Sequence, residues 1–446
     1  MAEVPNRTLL RAWMGLGALA LALAGVMAVL LALSRIPESQ TFFLWPVSFF
    51  ERGLVAHVVF SFVVWFLAAY VLLLALAIPI SANAVLDRIA LGGVALSFVL
   101  LLVPSFSNRG EPTLNNYIPA ITDPLYYAGL VLLACAILMP VARFLATSAQ
   151  HRHPAASYAP ILAAGGAAYV LALIGFARAA IALWPETPSY DYNEALFWGG
   201  GHILQFLNVA ILITAWFALA EKLLGARAID RKTPRWIALL LLLGALAGCA
   251  IEFWLEFRAE ARWQAFAWLQ YALAPASLVA AGVLVRALLP AARARPEIRR
   301  DPAFLAFALS LAVFALGGIL GLFVDGADTR TPAHYHGVIG GINLALMGVF
   351  LTVALPAAGR APQGEKLMAL QIWLYGAGQA IASLGLFWAG GYGAPRKAAG
   401  EAQGLVELGA KLGLYLNGLG ALIAVMGGIL FIVTVARALL RREQTM

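Results

Sequence analysis

The sequence predicts an all-α polytopic membrane protein of twelve transmembrane helices with both termini cytoplasmic. Three observations carry this. Of 446 residues, 62% are hydrophobic and only 12% charged, a composition that excludes soluble domains. Apolar stretches near the ~20 residues that cross a bilayer recur along the whole chain. Twenty of the 30 Lys and Arg residues fall before the first stretch, in the loops after stretches two, four, six, eight and ten, at the C-terminus, or just inside the adjoining stretch ends at Arg11, Arg143 and Arg286. The positive-inside rule makes that side cytoplasmic.

In order, the spans are read at 11–34, 54–79, 89–106, 125–146, 158–183, 195–220, 236–256, 266–290, 303–324, 332–355, 367–390 and 411–436. The first follows Arg7 and Arg11, but its apolar run is too long for a cleaved signal peptide, so it reads as a retained helix. The loop "PESQTFFLWPVSFFERG" after it is aromatic enough to lie at the outer interface. The runs "EKLLGARAIDRKTPRW" and "RALLPAARARPEIRR" hold the densest positive charge, so the net charge of +8 is mostly loop charge and requires no nucleic acid. Cys135 and Cys249 lie in spans and form neither a CxxCH nor a CxxC motif, which predicts neither a disulfide nor covalent haem. Residues 1–446 read as a single membrane domain, integral to a bacterial inner membrane and in contact with lipid.

Six histidines are present. His151 and His153 flank Arg152 in the loop between spans four and five and read as solvated. His57, His202, His334 and His336 fall early in spans two, six and ten, all entering from the outer face. At ~1.5 Å per residue each lies roughly 5–15 Å below that boundary. One intramembrane histidine is readily a polar residue bonded to a neighbouring helix. Four in one layer each require a partner, and a metal or haem centre supplies it to all of them.

The segment "TPAHYHGVIGG" narrows the choice. His334 and His336 are i and i+2, roughly 200° apart around a helix, so they cannot chelate one ion. They can each ligate a different haem iron, and His57 can close one of these as a bis-histidine site. His202 is left for a second centre. Gly199, Gly200 and Gly201 precede His202, and Gly337, Gly340 and Gly341 follow His336; small residues admit flat cofactors or neighbouring helices.

On these residues the chain resembles subunit I of the haem–copper oxidase superfamily, which includes the large subunit of nitric oxide reductase. "HYH" is the most specific feature; "ERGLVAHVVFSFVVW" looks like the family's low-spin haem segment and "FWGGGHILQF" like its span-six metal segment. The resemblance implies two haem groups, b-type expected. It implies that His57 and His336 ligate low-spin haem, that His334 is proximal ligand of a high-spin haem, and that His202 ligates a non-haem metal. Arg396 and Lys397, between spans eleven and twelve, stand where the family holds haem propionates; the competing reading is a solvated basic pair.

The chain also departs from the pattern. No histidine lies between 202 and 334, so the span-seven pair is missing and a three-histidine copper site cannot be assembled. "HILQF" carries Ile203, Leu204, Gln205 and Phe206, without the family's Pro, Glu or cross-linking Tyr. Span seven, "WIALLLLLGALAGCAIEFWLEF", offers Cys249, Glu252 and Glu256 in its outer half, at i,i+3 and i,i+4 spacing. His202 with Glu252 would suit non-haem iron better than copper. The competing reading leaves Glu256 interfacial and Glu252 paired with Arg178, Arg258 or Arg262.

Carboxylates concentrate near the outer face, at Glu186, Asp191, Glu194, Asp325 and Asp328, and are scarce in the inner halves of the spans. Consumed protons would therefore enter from outside, without pumping. The leading function is a respiratory oxidoreductase that passes electrons from a low-spin to a high-spin haem and reduces a diatomic gas, nitric oxide favoured over oxygen. Cytochrome c, quinol or a donor subunit would supply the electrons. The rival is a two-haem electron-transfer or gas-binding relative without a second metal. A transporter is disfavoured by the layered histidines with their i,i+2 pair, since transporter sites usually show broken helices near the midplane.

Overall fold

The structure, a computed structural model, describes residues 6–37, 47–77, 84–107, 109–150, 156–225, 230, 232–324, 326, 328–362 and 364–441. Among these, twelve helices are long and apolar enough to cross a membrane: α1 Arg7–Arg35, α2 Phe49–Ala77, α3 Val85–Phe106, α4 Pro124–Ser148, α5 Ala159–Ala182, α6 Tyr190–Leu224, α7 Thr233–Trp254, α8 Glu260–Ala294, α9 Pro302–Gly321, α10 Arg330–Ala357, α11 Glu365–Gly391 and α12 Leu408–Leu440. Each predicted span has its helix. His151, His153, Asp325 and most of the loop after α1 lie outside the described residues.

Where helices outrun the apolar stretch, local chemistry explains it. α6 starts at Tyr190 because the side chain of Ser189 accepts from the Tyr192 N–H and caps the polar first turn. α9 starts behind Asp301, which accepts from the Ala303 N–H with Pro302 at the first helical position. α7 instead stops short. Leu255 is extended, with φ −98° and ψ 145°, so Glu256 lies past the helix and is exposed. The expected i,i+4 face of Glu252 and Glu256 is therefore not formed.

The chain divides into two compact units, residues 1–16 with 63–294, and 17–62 with 295–446. In the first, α3 packs on α4, α5 on α6 and α7, and α8 on α6 and α7. The Tyr70 hydroxyl donates to the Leu162 carbonyl at 2.6 Å, tying α2 to α5. A two-stranded antiparallel hairpin, β1 Pro112–Thr113 with β2 Ala120–Ile121, joins α3 to α4.

In the second unit α9 packs on α10, and α11 on both α10 and α12. Backbone contact at small residues holds these pairs together. A Cβ added at Gly337 would lie 2.5 Å from the Gly317 Cα. Added at Gly378, Gly385 or Gly413, it would meet backbone nitrogen of the facing helix at 2.3–2.5 Å. Such close approach is how membrane helices gain packing energy without a hydrophobic drive.

The three helices carrying the intramembrane histidines are the most enclosed. The most apolar stretch is 94% buried in α6, 83% in α10 and 78% in α2, against 28–56% in the other nine. Both α2 and α10 contain π-helical turns, Val59–Val64 starting two residues after His57 and Phe350–Ala354. Such turns recur at functional positions.

Candidate functional site

In the second unit, His57 and His334 are oriented in the same manner. His57 Nδ1 lies 2.9 Å from the Ala24 carbonyl of α1, and His334 Nδ1 lies 2.8 Å from the Gly317 carbonyl of α9. A carbonyl can only accept, so in the neutral ring Nδ1 carries the proton and Nε2 keeps the lone pair. Gly321 gives the His334 ring its room, since an added Cβ would approach Nδ1 to 2.5 Å. This is the orientation that second-shell hydrogen bonds impose on metal-ligating imidazoles.

His336 lies within electrostatic reach of His57 and Arg35. Its ring packs on Tyr335 at 5.4 Å. Tyr335 interacts with both Arg35 and Arg396 and keeps 39% of its surface open. His57, His334 and His336 are each half-buried, so the most enclosed helices leave these side chains an open margin. Arg396 and Lys397 are also half-buried, and Lys397 has φ 60°. Arg35 was not singled out in the sequence, where it reads only as the residue ending the first apolar run. It stands over the Phe50 ring at 5.7 Å.

His202, in the first unit, has different surroundings. Its Nδ1 is 2.8 Å from the Trp198 carbonyl one turn back, again leaving the lone pair on Nε2. The ring is 4% exposed and walled by Tyr117 at 4.5 Å, Trp198 at 4.7 Å and Phe266 at 5.2 Å between centroids.

Tyr117 comes from the hairpin between α3 and α4 and adopts φ 63°, a left-handed conformation that aromatic residues rarely take. The hairpin is pinned there. Glu194 accepts from the Asn116 backbone N–H at 2.7 Å and from its side-chain amide at 2.5 Å. Asn193 bridges the Thr113 hydroxyl and the Tyr127 hydroxyl, each at 2.9 Å. Burial, and then the Glu194 carboxylate, hold the Tyr117 phenol well above its ordinary pKa.

Glu252, read in the sequence either as a metal ligand beside His202 or as paired with Arg178, Arg258 or Arg262, takes the second course with two of those three. One carboxylate oxygen takes the Arg262 guanidinium at 2.7 Å, both side chains fully buried, and the other takes Arg178 at 3.3 Å. Cys249 is a half-buried free thiol on the same helix. Among the described residues no group of three His, Cys, Asp or Glu stands where it could hold a metal ion. The residues present therefore do not fit a second metal: His202 offers one lone pair, and Glu252, the carboxylate proposed to join it, is engaged by two guanidinium groups.

The glycines before His202 serve these neighbours. A Cβ on Gly199 would fall 2.1 Å from Glu252 Oε2, on Gly200 2.4 Å from the Phe176 ring, and on Gly201 2.6 Å from the Tyr117 ring. Among the predicted outer carboxylates, Glu186 pairs with Arg258 at 2.5 Å and Asp328 with Arg330 at 2.7 Å.

The chain is 27% identical to an uncharacterized protein of Aquifex aeolicus (strain VF5) over 76% of its length and 81% of that protein. It is 25% identical to an uncharacterized protein of Rickettsia prowazekii (strain Madrid E), covering 96% of this chain and 95% of the relative. Among solved structures, a heme-copper terminal oxidase dimer shares the fold with a TM-score of 0.78 at 17% identity, over 98% of this chain and 84% of that one. Residues 8–417 match the family described as Cytochrome C and Quinol oxidase polypeptide I. With twelve helices and the match over most of its length, the chain belongs to that family, the haem–copper oxidase subunit I proteins, integral membrane proteins of respiratory oxidoreduction with haem cofactors.

Proposed function

We propose that this protein reduces a small diatomic gas at a haem centre, nitric oxide in preference to oxygen, in a bacterial inner membrane with both termini cytoplasmic. The observation that carries the reading is the shared orientation of His57 and His334, each with Nδ1 fixed by a carbonyl and Nε2 left to donate. With His336 within electrostatic reach of His57, the donors of the second unit fit haem. His57 and His336 would ligate a low-spin haem b, and His334 would be the proximal ligand of a high-spin haem. When bound, these groups supply a relay for single electrons and an iron able to bind the diatomic ligand.

The protein's own residues orient and neutralise. Ala24 and Gly317 lend carbonyls that keep two imidazoles in the ligating tautomer. Arg396, Lys397 and Arg35 would face the haem carboxylates, so that burying them leaves no unpaired negative charge. Electrons would come from cytochrome c, a quinol or a donor subunit. Protons would enter from the outer side, to which the sequence assigns Glu186, Asp191, Glu194 and Asp328, and none would be pumped.

The alternative, a two-haem electron carrier or gas-binding relative without catalysis, is favoured by one observation, the commitment of Glu252 to Arg262 and Arg178. Proteoliposomes test both. With an artificial electron donor, nitric oxide should be consumed without outward proton ejection. Binding without turnover would select the alternative, and robust ejection would overturn the non-pumping reading.

A further inference from the structure

We infer that the His202 chamber works without a second metal, its fixed positive charge being carried by Arg262 and Arg178 around Glu252. The inference rests on the reading of this chain as a haem-bearing reductase and concerns what stands around His202 within it.

Three independent features of the first unit point the same way. The first is charge count. Two guanidinium groups share one carboxylate, so the cluster holds one positive charge in excess, next to the helix turn that ends at His202. Gly199 is the clearance for this pair, since any side chain there would strike Glu252 Oε2. The second is proximity. Phe266 lies between cation and imidazole, its ring 5.3 Å from the Arg262 Cζ and 5.2 Å from the His202 ring. Arg262 also sits 4.5 Å from the Phe257 ring and donates to the Phe257 carbonyl at 3.1 Å, so the guanidinium is fixed. A preoriented charge costs no reorganisation when negative charge develops on a ligand.

The third feature is the sign of what is left over. Arg262 Nε and Trp198 Nε1 are buried donors without an acceptor among the described residues. A cation site needs several spare lone pairs, whereas this chamber sets one, on His202 Nε2, against two spare N–H groups. Its chemistry suits an electron-rich ligand.

The test begins with metal analysis of the purified full-length protein, before and after incubation with ferrous iron or with copper. Iron should equal haem, and copper should be absent. One iron beyond haem, or stoichiometric copper, overturns the inference on the wild-type protein alone.

The variants then read the charge count. Glu252→Gln should leave metal content unchanged and lower the melting temperature, because two guanidinium groups lose their counter-charge. Adding Arg178→Gln to that chain restores the wild-type excess of one charge and should recover most of the loss. If Glu252 were a ligand, Glu252→Gln would release one metal per chain and Arg178→Gln would not rescue it; that pattern defeats the proposal. Should the single variant fail to fold, refolding of the double variant supports the charge count, and failure of both opposes it. Absence of nitric oxide turnover, with these results intact, would remove the reductase reading and leave the metal-free chamber standing.

Discussion

The histidines of the two units differ in what surrounds an otherwise shared hydrogen-bond scheme. His57, His334 and His202 all direct Nδ1 to a backbone carbonyl and keep a lone pair on Nε2. In the second unit, His57, His334 and His336 are half-buried, with Arg35 and Arg396 nearby. That is a setting for a large, flat, acidic cofactor. In the first unit, His202 is almost fully enclosed by three aromatic rings beside a buried cation cluster. Tautomer control alone does not make a metal site. Open margin and the charge of the neighbours decide what an imidazole can receive.

The harshest way to break this comparison is to remove the second unit's ligands one at a time. His334→Ala should abolish carbon monoxide binding by the reduced protein while the low-spin spectrum persists, because only the proximal donor of the gas-binding haem is lost. An intact carbon monoxide spectrum would falsify that role. His57→Ala should have the complementary effect, loss of the low-spin component with the high-spin haem retained. Should both haems survive it unchanged, His57 is not a ligand. By the comparison drawn above, His202→Ala should leave both haems in place, so the three substitutions separate the units by spectrum alone.

How much of this could be read beforehand follows from the range of each interaction. All twelve spans are visible in sequence because helix formation in lipid depends on a continuous apolar run of sufficient length, a local property. The histidine positions are legible for the same reason, as exceptions to that run. Glu252 shows the limit. Spacing left it either a ligand or a partner of Arg178, Arg258 or Arg262, and only the fold decides between them, through Arg262, ten residues on past the helix break at Leu255, and Arg178 on α5. Tyr117 was missed altogether. It belongs to a short loop without periodicity, and only the three-dimensional path of the hairpin brings it over His202. One signal was available: three consecutive glycines in a membrane helix ask what occupies the space they leave, and the answer is Glu252, Phe176 and Tyr117.

The smallest expected effect concerns Tyr117, and it sharpens the account of how His202 is closed off. Two contributions oppose each other at this position. The left-handed backbone costs about 1–3 kcal/mol for a non-glycine residue, while the half-buried ring of Tyr117 contributes part of the about 1.5–3 kcal/mol of a fully buried side chain. Tyr117→Gly therefore relieves strain and loses packing, and the net change in stability should be modest, about 1 kcal/mol in either direction by the same magnitudes. Its larger consequence should be access. With the ring gone, His202 should react with a small imidazole-modifying reagent several times faster than in the wild type. Tyr117→Phe keeps the ring and the strain and removes only the hydroxyl, for which no hydrogen bond is found among the described residues. Melting temperature and His202 reactivity should then match the wild type, because the hydroxyl closes nothing. If Tyr117→Phe instead keeps its stability but loses turnover, the phenol takes part in the chemistry and the hairpin is more than a wall.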